Sequence, residues 1–557
     1  MIKIFCLNTH QFIDVEGGLT LMQLAVRLAS DLPFTPICAR VNNKTQNLAF
    51  PIYQPKQVEF LSADSPAGRR VVVRSLCMLL YRALYSIDPT LRLRIEHSIS
   101  KGILCMLYDA EGRQVVPDDA LIAALHSRMN ALVAENHPFI EREAPTEEVI
   151  EIFRRQGLES KVTLLETSPD LYTTYYTLDG VADSYYSALA PTTGFLKVFD
   201  LRKYHDGMLL LGPDTENRDL PSQPITQEKM LAAYRDHILF NRAIRVSNVG
   251  ELNMAVRNRE TSQLINVAEA MHDKYLGAIA ARIADLNKEG GARIVLLAGP
   301  SSSGKTTTTK RLGIQLMTNL LTPKMISLDD YFVDRDHTPL DEKGDYDYES
   351  LYALDLERLN SDLQRLLSGE TINLPTYSFE LGRRVDKERP LRLEPDEVLL
   401  IEGIHGLNPE LTASLPGNDI FKVYVSALTS LSIDDHNWIS TTDNRLLRRI
   451  VRDHKYRHTS ARETIRRWPS VRRGEERWIF PYQENADATF NSSLIFELGV
   501  MKNYAEPLLR QVPHNSEEYS EAYRLLKFLS YFDPIPADQV PSTSLLREFL
   551  GGSSFHY

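Results

Sequence analysis

The segment with the clearest chemical signature reads Gly299-Pro300-Ser301-Ser302-Ser303-Gly304-Lys305-Thr306, a match to the pattern G-x4-G-K-[ST]. An apolar run at 294–297 precedes it and a helical pattern follows from Lys305, which is the order of a phosphate-binding loop, or P-loop. The glycines let backbone amides approach a phosphate closely, and the N-terminus of the helix adds the positive end of its dipole. We expect the following residues to bind ATP: Gly299, Ser301, Ser302, Ser303, Gly304, Lys305, Thr306 and Thr307.

Two residues of this loop have separate expected roles. Lys305 would act as a catalytic residue by neutralising the β- and γ-phosphates, and the hydroxyl of Thr306 would bind Mg²⁺. The loop therefore predicts ATP and Mg²⁺ as cofactors, but it does not identify the group that receives the phosphate.

A pair of acids, Asp329-Asp330, follows the next apolar run, at 324–328. A carboxylate at the C-terminal end of a parallel strand faces the ligand crevice of a doubly wound sheet. We therefore expect Asp329 to accept the proton of an attacking hydroxyl, as a catalytic base. A surface pair of acids that caps the following element is the alternative interpretation.

A third apolar run, at 398–401, ends in Glu402-Gly403. An apolar strand that ends in an acid is the Walker B pattern, here with Glu in place of Asp. We expect Glu402 to hold Mg²⁺ together with Thr306. A structural carboxylate bonded to a neighbouring loop would produce the same pattern.

Residues 443–478 carry twelve Lys and Arg residues against five Asp and Glu, inside a chain with a formal charge of -11. Arg445, Arg448, Arg449 and Arg452 follow the spacing i, i+3, i+4, i+7 and so share one helical face. This arrangement is typical of a lid whose arginines close over phosphoryl oxygens. A solvated basic face and an RNA-binding helix have the same charge pattern and stay open.

The elements that must position these residues alternate between short strands and helices. Apolar runs typical of strands lie at 293–298, 324–328, 397–401, 422–426 and 494–498. Buried strands separated by helices indicate a parallel sheet covered by helices on both faces, and hence an α/β fold. Residues 262–288 repeat apolar side chains at helical spacing, which predicts a helix packed on the core.

Taken together, these features resemble the uridine kinase / phosphoribulokinase family over about residues 290–500. The resemblance is carried by the P-loop, the Asp-Asp-Tyr-Phe strand end at 329–332, the Pro-Thr-Tyr-Ser-Phe segment at 375–379, Glu402-Gly403 and the run at 443–453. It implies a P-loop kinase domain over 291–505 with a parallel sheet flanked by helices.

The resemblance also implies roles for individual residues. Asp329 is the base for the acceptor hydroxyl, and Asp347, in Asp345-Tyr346-Asp347, binds ribose hydroxyls. Tyr377 packs on the base of the acceptor, while Arg449, as a catalytic residue, and Arg457 reach the phosphates or the sugar.

The sequence departs from the family where the pyrimidine is recognised. The family's uridine-reading histidine falls at Gly382, with Arg383 and Arg384 following, and its second lid arginine falls at about Thr459. The resemblance thus implies phosphorylation of a small-molecule hydroxyl, with a nucleoside 5'-OH as the first choice, without saying which nucleoside. A kinase for a sugar phosphate or a pantothenate-like molecule stays open, as does an RNA- or ribosome-associated NTP switch.

The N-terminal half resembles the N-terminal region of threonyl-tRNA synthetase, with a small β-grasp-like TGS domain over 1–62 and an α+β editing-type domain over 63–230. The matches are Glu96-His97-Ser98 and the run at 183–194. The synthetase site uses an H-x3-H pair, a Cys and a further His, where this chain has His97, Lys101, Tyr185 and Leu189. One histidine cannot bind zinc or activate water alone, so we expect an inactive hydrolytic site in which His97 is structural.

The resemblance of the first 62 residues to TGS domains implies that the N-terminal half binds a ligand or RNA and influences the kinase region. A length of 557 residues is consistent with several domains. We expect a helical linker over 231–290 and a C-terminal tail over 506–557, irregular from about 530 until the apolar patch at 545–550. The negative net charge excludes a protein built as a whole to coat nucleic acid.

Cysteine usage and hydropathy indicate the compartment. The chain has four cysteines, Cys6, Cys38, Cys77 and Cys105, without a C-x-x-C pair, which predicts reduced buried thiols. The N-terminus lacks the apolar segment of a signal peptide, and the most apolar stretch, 71–85, is interrupted by two arginines. We expect a cytoplasmic protein with no membrane partner, and homo-oligomer formation stays open.

Overall fold

The computed structural model describes residues 1–341, 344, 346–378, 380–385 and 387–556. The first segment is a five-stranded sheet in the order β2-β1-β7-β4-β5, in which β1 and β7 are parallel and the other neighbours antiparallel. Helix α1 starts at a capping box, because Thr20 and Gln23 bond to each other's backbone. The bounds are β1 (Ile2–Cys6), β2 (Gln11–Val15), β3 (Leu19–Thr20), α1 (Leu21–Arg27), β4 (Cys38–Val41), β5 (Lys44–Gln46), β6 (Pro51–Ile52) and β7 (Gln57–Leu61).

The second segment surrounds a long buried helix, α2, with two antiparallel sheets. One sheet has the order β10-β9-β15-β14 with β8 paired to β9, and the other has the order β11-β12-β13. The bounds are α2 (Pro66–Ile87), β8 (Arg92–Ile99), β9 (Gly102–Tyr108), β10 (Gln114–Val115), α3 (Asp119–Glu135), β11 (Ile140–Pro145), α4 (Thr146–Arg155), α5 (Glu159–Glu166), β12 (Tyr172–Leu178), β13 (Val181–Asp183), β14 (Asp200–Tyr204) and β15 (Gly207–Leu211). The buried apolar residues of α2 explain its length without a bilayer. In the described part of the chain, no helix has the length and hydropathy needed to cross a membrane.

His97, on β8, is buried at the contact between this segment and the C-terminal half. The N–H of Ser98 donates to its Nδ1 at 2.8 Å, so the ring proton lies on Nε2, which donates to Thr441 Oγ1 at 3.2 Å. Burial lowers the pKa of His97 to about 4, because a charged ring would lose its hydration. The lone histidine therefore holds two segments together in its neutral form.

This histidine predicts a pH-dependent stability. An unfolded chain protonates His97 near pH 6.5 and the folded chain only near pH 4, so the unfolded state binds the extra proton between these values and stability falls as the pH drops. Between pH 7 and pH 5 the loss attributable to His97 is about 2 kcal/mol. In denaturant unfolding, the free energy of unfolding of His97→Gln should fall between pH 7 and pH 5 by about 2 kcal/mol less than that of the wild type. The exposed His10→Gln is the control, and an unchanged pH dependence in His97→Gln would contradict the assignment.

Three helices connect the N-terminal segments to the P-loop region: α6 (Glu228–Ala243), α7 (Val249–Arg257) and α8 (Thr261–Lys288). The predicted apolar stripe on α8 is only partly buried. Leu264, Ile279 and Ile283 belong to the same hydrophobic core as the central strands of the P-loop region, whereas Val267 and Leu286 are exposed. The segment expected as a linker thus supplies one wall of the P-loop region's core.

The P-loop region contains a parallel five-stranded sheet in the order β17-β22-β16-β23-β26. Its strands are β16 (Ile294–Ala298), β17 (Thr322–Ser327), β22 (Glu397–Glu402), β23 (Ile420–Ser426) and β26 (Ala488–Asn491), and short hairpin strands are β18 (Ile372–Asn373), β19 (Tyr377–Ser378), β20 (Arg383–Arg384), β21 (Pro390–Leu391), β24 (Ser432–Asp434) and β25 (Asn437–Trp438). The helices are α9 (Lys305–Thr318), α10 (Leu356–Leu367), α11 (Thr441–Arg457), α12 (Ala461–Trp478), α13 (Glu497–Arg510), α14 (Tyr519–Ser530) and α15 (Arg547–Leu550). Strand β16 lies at the centre, so the P-loop leaves the middle of the sheet.

The predicted strand at 494–498 is wrong. This apolar run is a buried turn that leads into α13, and the fifth strand of the sheet is the more polar β26. The carboxylate of Glu497 accepts the N–H of Leu494 at 2.9 Å at the start of the helix and forms a buried ion pair with Arg448. Short apolar runs are buried in either conformation, so hydropathy alone does not distinguish them.

The segment at 506–557 differs from the expected tail. Helices α14 and α15 lie in it, and Leu525, Phe528, Leu545 and Phe549 are fully buried in the core of the P-loop region. Three prolines do interrupt regular structure between these helices, but the apolar residues around them pack against the rest of the region. Residues 545–550 are therefore part of the core and lie beside the P-loop.

The two halves of the molecule are joined by buried charges. Lys161 of α5 lies 2.8 Å from both Asp183 and Asp434, and His436 Nδ1 lies 2.8 Å from the other oxygen of Asp183. All four side chains are nearly inaccessible to solvent. Burial alone would raise the pKa of Asp183, but Lys161 and His436 lower it below its usual value. Asp434 and His436 belong to the β24–β25 hairpin, which thus inserts into the N-terminal half.

Candidate active site

The P-loop connects β16 to α9 with its carbonyl groups held on the protein side. Gly304 has a φ of +85°, a conformation that favours glycine, and the helix begins directly after it. The carbonyl of Ser303 accepts Ser492 Oγ at 2.5 Å, and the buried guanidinium of Arg448 lies 3.4 Å and 3.5 Å from the carbonyls of Ser302 and Ser303. Because these carbonyls point into the protein, the loop can present its amides to an anion.

The two glycines of the motif are required for different structural reasons. A Cβ at Gly299 would lie 2.0 Å from the carbonyl oxygen of Val425, so Gly299 allows the loop to pack against β23. A Cβ at Gly304 would meet the side chain of Leu545 at 2.7 Å. Only Gly304 lies in the cavity that the loop borders.

A cavity of about 510 Å³ opens between the P-loop, the end of β17, the end of β22 and helix α11. It brings together most of the residues expected from the sequence. These are Ser301, Ser302, Gly304, Lys305, Thr306, Asp329, Tyr377, Glu402, Arg449 and Arg457. Gly299, Ser303, Thr307 and Asp347 do not line it.

Thr306 and Glu402 lie side by side in this cavity. Thr306 Oγ1 is 3.4 Å from Glu402 Oε1, which also accepts Ser327 Oγ at 3.2 Å. Burial and the neighbouring Asp329 together raise the pKa of Glu402 to about 7. Among the residues that the structure describes, no three acidic, His or Cys side chains converge as a metal cluster. A hydroxyl and one carboxylate instead form a partial set of oxygen ligands that suits a divalent cation bound together with phosphates.

The pair Asp329-Asp330 separates into two environments in the turn that follows β17. Asp329 lines the cavity with an exposed side chain, and partial loss of hydration between the cavity walls raises the pKa of its carboxyl, while Lys305 and Arg457 oppose that shift. Asp330 instead pairs with Arg389 at 2.8 Å. Asp329 is therefore the carboxylate of the pair that can meet a reactant.

The arginine face of α11 does not act as one surface, contrary to the lid interpretation. Arg445 and Arg448 are fully buried and pair with Glu475 and Glu497, at 2.6 Å and 2.5 Å. Glu475 also accepts the N–H of Ser301 at 3.1 Å, so these pairs brace the P-loop from behind. Charges that lose water on burial need such partners, which explains why both arginines turn inward.

The remaining arginines of this helix face the cavity. Arg449 Nη1 donates to Ser301 Oγ at 2.8 Å and its Nε lies 3.2 Å from Asp453, while Arg452 and Arg457 also line the cavity. Helix α11 thus contributes half of the predicted arginine face, together with Arg457, to the positive charge around the cavity.

Comparisons with known proteins agree with this geometry. The phosphoribulokinase / uridine kinase family profile matches residues 294–494. The uridine kinase of Brevibacillus brevis is 32% identical over 199 residues, which are 36% of this chain and 84% of that protein. The chain belongs to the phosphoribulokinase / uridine kinase family.

Further comparisons cover a similar share of the chain. The uridine kinase of Macrococcus caseolyticus is 30% identical over 197 residues, 35% of this chain and 85% of that protein. A solved structure described as a possible uridine kinase from Bacillus stearothermophilus is 21% identical, with a TM-score of 0.25, over 38% of this chain and 100% of that chain. Membership of the family makes the chain an ATP-dependent phosphotransferase with a P-loop kinase fold, a parallel sheet flanked by helices.

The part of the cavity that is expected to receive the acceptor is lined by aromatic residues and arginines. Tyr377 lies with its ring centroid 5.6 Å from that of Phe332, and both line the cavity. A Cβ at Gly382 would lie 2.6 Å from Arg335 Cζ, so the space where a family histidine is expected is filled by the Arg335 guanidinium. Asp345 and Phe379, also part of the expected acceptor segments, lie outside the described residues.

Asp347, which was expected to bind ribose hydroxyls, does not line the cavity. Its carboxylate accepts the backbone N–H of Glu349 at 3.2 Å in a turn, and its own N–H donates to Pro339 O at 2.7 Å. Glu349, two residues later, lines the cavity instead. Burial and the neighbouring Glu475 together raise the pKa of Glu349 to about 7.

Several residues of this site were not predicted from the sequence. Glu349, Arg335, Arg467 and Glu548 line the cavity, and Glu475 holds the P-loop from outside it. The run Asp345-Tyr346-Asp347-Tyr348-Glu349 offered a signal for Glu349, since it carries acids at alternate positions. No local pattern marks Glu475 or Glu548, because their partners are far away in the sequence.

Proposed function

We propose that the protein transfers the γ-phosphoryl group of ATP to the 5'-hydroxyl of a nucleoside, with Mg²⁺ as cofactor. The observation that carries this proposal is that Asp329 lies in the same cavity as Lys305 and Thr306. A nucleoside kinase needs a base, a phosphate-binding lysine and a metal-binding hydroxyl around one space. The uridine kinases among the relatives support the choice of a nucleoside.

In this mechanism the chain's own residues position charge and remove a proton. The hydroxyl oxygen of the acceptor bonds to the γ-phosphorus, and the bond from that phosphorus to the oxygen of the β-phosphate breaks, so ADP leaves. Asp329 accepts the proton that the hydroxyl loses. Lys305 and Arg449 stabilise the charge on the phosphoryl oxygens. Thr306 and Glu402 would hold Mg²⁺, which would supply positive charge to neutralise the phosphates of ATP.

The acceptor is held by the other end of the cavity. We assign Tyr377 and Phe332 to stacking on the base of the nucleoside, and Arg457 to the sugar or phosphate. Asp347 was expected to bind the ribose hydroxyls, and the position of Glu349 in the cavity wall makes Glu349 the better candidate for that contact. Arg335 beside Gly382 replaces the neutral histidine of the family, so a base other than uracil is compatible with the site.

For the N-terminal half we retain the TGS-like and editing-like interpretation, with the domain boundaries at 62 and 230, as a proposal. It is supported by a small mixed sheet around one helix in residues 1–62 and by the solvent-inaccessible, neutral His97. In this view the half binds a ligand or RNA rather than catalysing hydrolysis, and the protein works in the cytoplasm, as a monomer or a homo-oligomer.

The test is an acceptor screen. The protein is incubated with Mg-ATP and a panel of nucleosides, sugar phosphates and pantothenate, and new monophosphates are detected by mass. We expect at least one nucleoside to gain 80 Da, the mass of HPO₃. ATP hydrolysis that needs no acceptor and increases with added RNA would instead support an NTP switch and overturn the proposal.

A further inference from the structure

The C-terminal segment at 545–550 lies directly on the P-loop. Leu545 packs against Gly304, where an added Cβ would lie within 2.7 Å of its side chain. Leu545, Leu546 and Phe549 are fully buried, and the Phe549 ring lies 5.1 Å from the guanidinium of Arg448, which braces the loop. This packing brings the short helix α15 to the edge of the nucleotide cavity.

One side chain of α15 reaches into the nucleotide site. Glu548 Oε2 accepts the backbone N–H of Thr307 at 3.2 Å and the hydroxyl of Thr307 at 2.6 Å. Thr307 is the third residue of α9, and the N–H groups of a helix's first turn have no partner within the helix. In a P-loop these are the groups that bind the α- and β-phosphates. A carboxylate of the protein thus occupies a position that suits a phosphate.

Glu475 provides a contrast, since it also accepts a P-loop amide. Its carboxylate receives both terminal nitrogens of Arg445 at 2.6 Å and a third bond from Arg472 at 3.1 Å, and it is fully buried. It is therefore a fixed part of the loop's support. Glu548 is only half-buried and lines the nucleotide cavity itself.

We propose that Glu548 imitates a nucleotide phosphate at the P-loop and must leave Thr307 before ATP or ADP binds in full. The inference depends on the nucleotide site of the proposed function but not on the identity of the acceptor. Two anions cannot share one amide and one hydroxyl, so Glu548 and a nucleotide phosphate exclude each other. The observed arrangement is a closed state of the site, and its population lowers the apparent affinity for nucleotide.

The backbone of α15 stays in place during this exchange. Lys455 Nζ donates to the carbonyl of Leu550 at 2.5 Å, and Arg547 Nη2 donates to the carbonyl of Ala537 at 2.7 Å. The buried leucines anchor the segment in the same way. Release therefore requires only rotation of the Glu548 side chain away from Thr307, which is a small movement that a bound nucleotide can drive.

The test measures equilibrium binding of ADP without any acceptor, in the full chain. Glu548→Gln keeps the size of the side chain and removes its charge, so we expect the Kd for ADP to fall about tenfold. The Kd for adenosine should not change, because adenosine has no phosphate to compete. Asp538→Asn, which removes a charge from an exposed position in the same C-terminal segment, is the matched control and should leave the Kd for ADP unchanged.

The outcomes separate this inference from the proposed function. An unchanged or higher Kd for ADP in Glu548→Gln, with a wild-type melting temperature, would overturn the role of Glu548 as a phosphate mimic. Should Glu548→Gln fold poorly, Glu548→Asp serves as the second variant, because its shorter side chain retracts the carboxylate, and it must also lower the Kd for ADP. Failure to phosphorylate any nucleoside would affect only the acceptor assignment, since these measurements involve no turnover.

Discussion

Replacing Asp329 by Asn is expected to lower kcat by roughly 100- to 10,000-fold while the Kd for ATP changes by less than about threefold. The amide keeps the shape of the side chain but cannot accept the proton of the acceptor hydroxyl. Asp329 belongs to the turn after β17 and not to the P-loop, so the nucleotide should retain its phosphate ligands. Steady-state kinetics with a saturating acceptor, together with nucleotide titration, measure the two quantities.

The neighbouring acid supplies the control for this prediction. Asp330→Asn removes the same charge at the next position, but its carboxylate pairs with Arg389 outside the cavity. We expect its kcat to stay within about threefold of the wild type. A kcat for Asp329→Asn that matches that of Asp330→Asn would show that another group takes the proton, and Glu349 would be the next candidate.

Replacing Lys305 by Met should lower kcat/KM for ATP on the order of 1,000-fold or more. The methionine keeps the apolar part of the side chain, while the ammonium that neutralises the transferring phosphoryl group is lost. In the structure Lys305 Nζ donates to the carbonyl of Pro300 at 3.2 Å, a position from which it can turn to a bound triphosphate.

The comparison for Lys305→Met is Lys274→Met, at an exposed position on α8. That variant should keep the wild-type kcat/KM. Retention of more than about a tenth of the activity by Lys305→Met would contradict the assignment of Lys305 to the phosphates. Nucleotide binding distinguishes the two active-site variants, because Lys305→Met should weaken it and Asp329→Asn should not.

The local parts of this site were predictable from the sequence. The P-loop is a continuous motif whose strand and helix lie on either side, so its position followed from eight residues and their context. Asp329 and Glu402 were placed by a similar argument, because the carboxyl ends of parallel strands meet at one edge of the sheet. The resemblance to the family was confirmed by the profile match to residues 294–494.

Long-range pairing was not predictable in the same way. The helical spacing put Arg445 and Arg448 on a common face with Arg449, but their partners Glu475 and Glu497 lie 30 and 49 residues away. Whether an arginine meets a substrate or a buried carboxylate depends on those distant residues, and a single sequence does not show them. The same reason explains why an apparent tail supplied Glu548, which lies 241 residues from Thr307.

The buried charges at the β24–β25 hairpin also constrain the history of the chain. Asp434 and His436 belong to the catalytic half, yet their counter-charges are Lys161 and Asp183 of the other half. A gene that lost its first 230 codons would encode a catalytic half whose β24–β25 hairpin had lost its charged partners and exposed Trp438, which packs on the hydrophobic core of the other half. A shortened descendant would therefore first have to replace Trp438 with a polar residue.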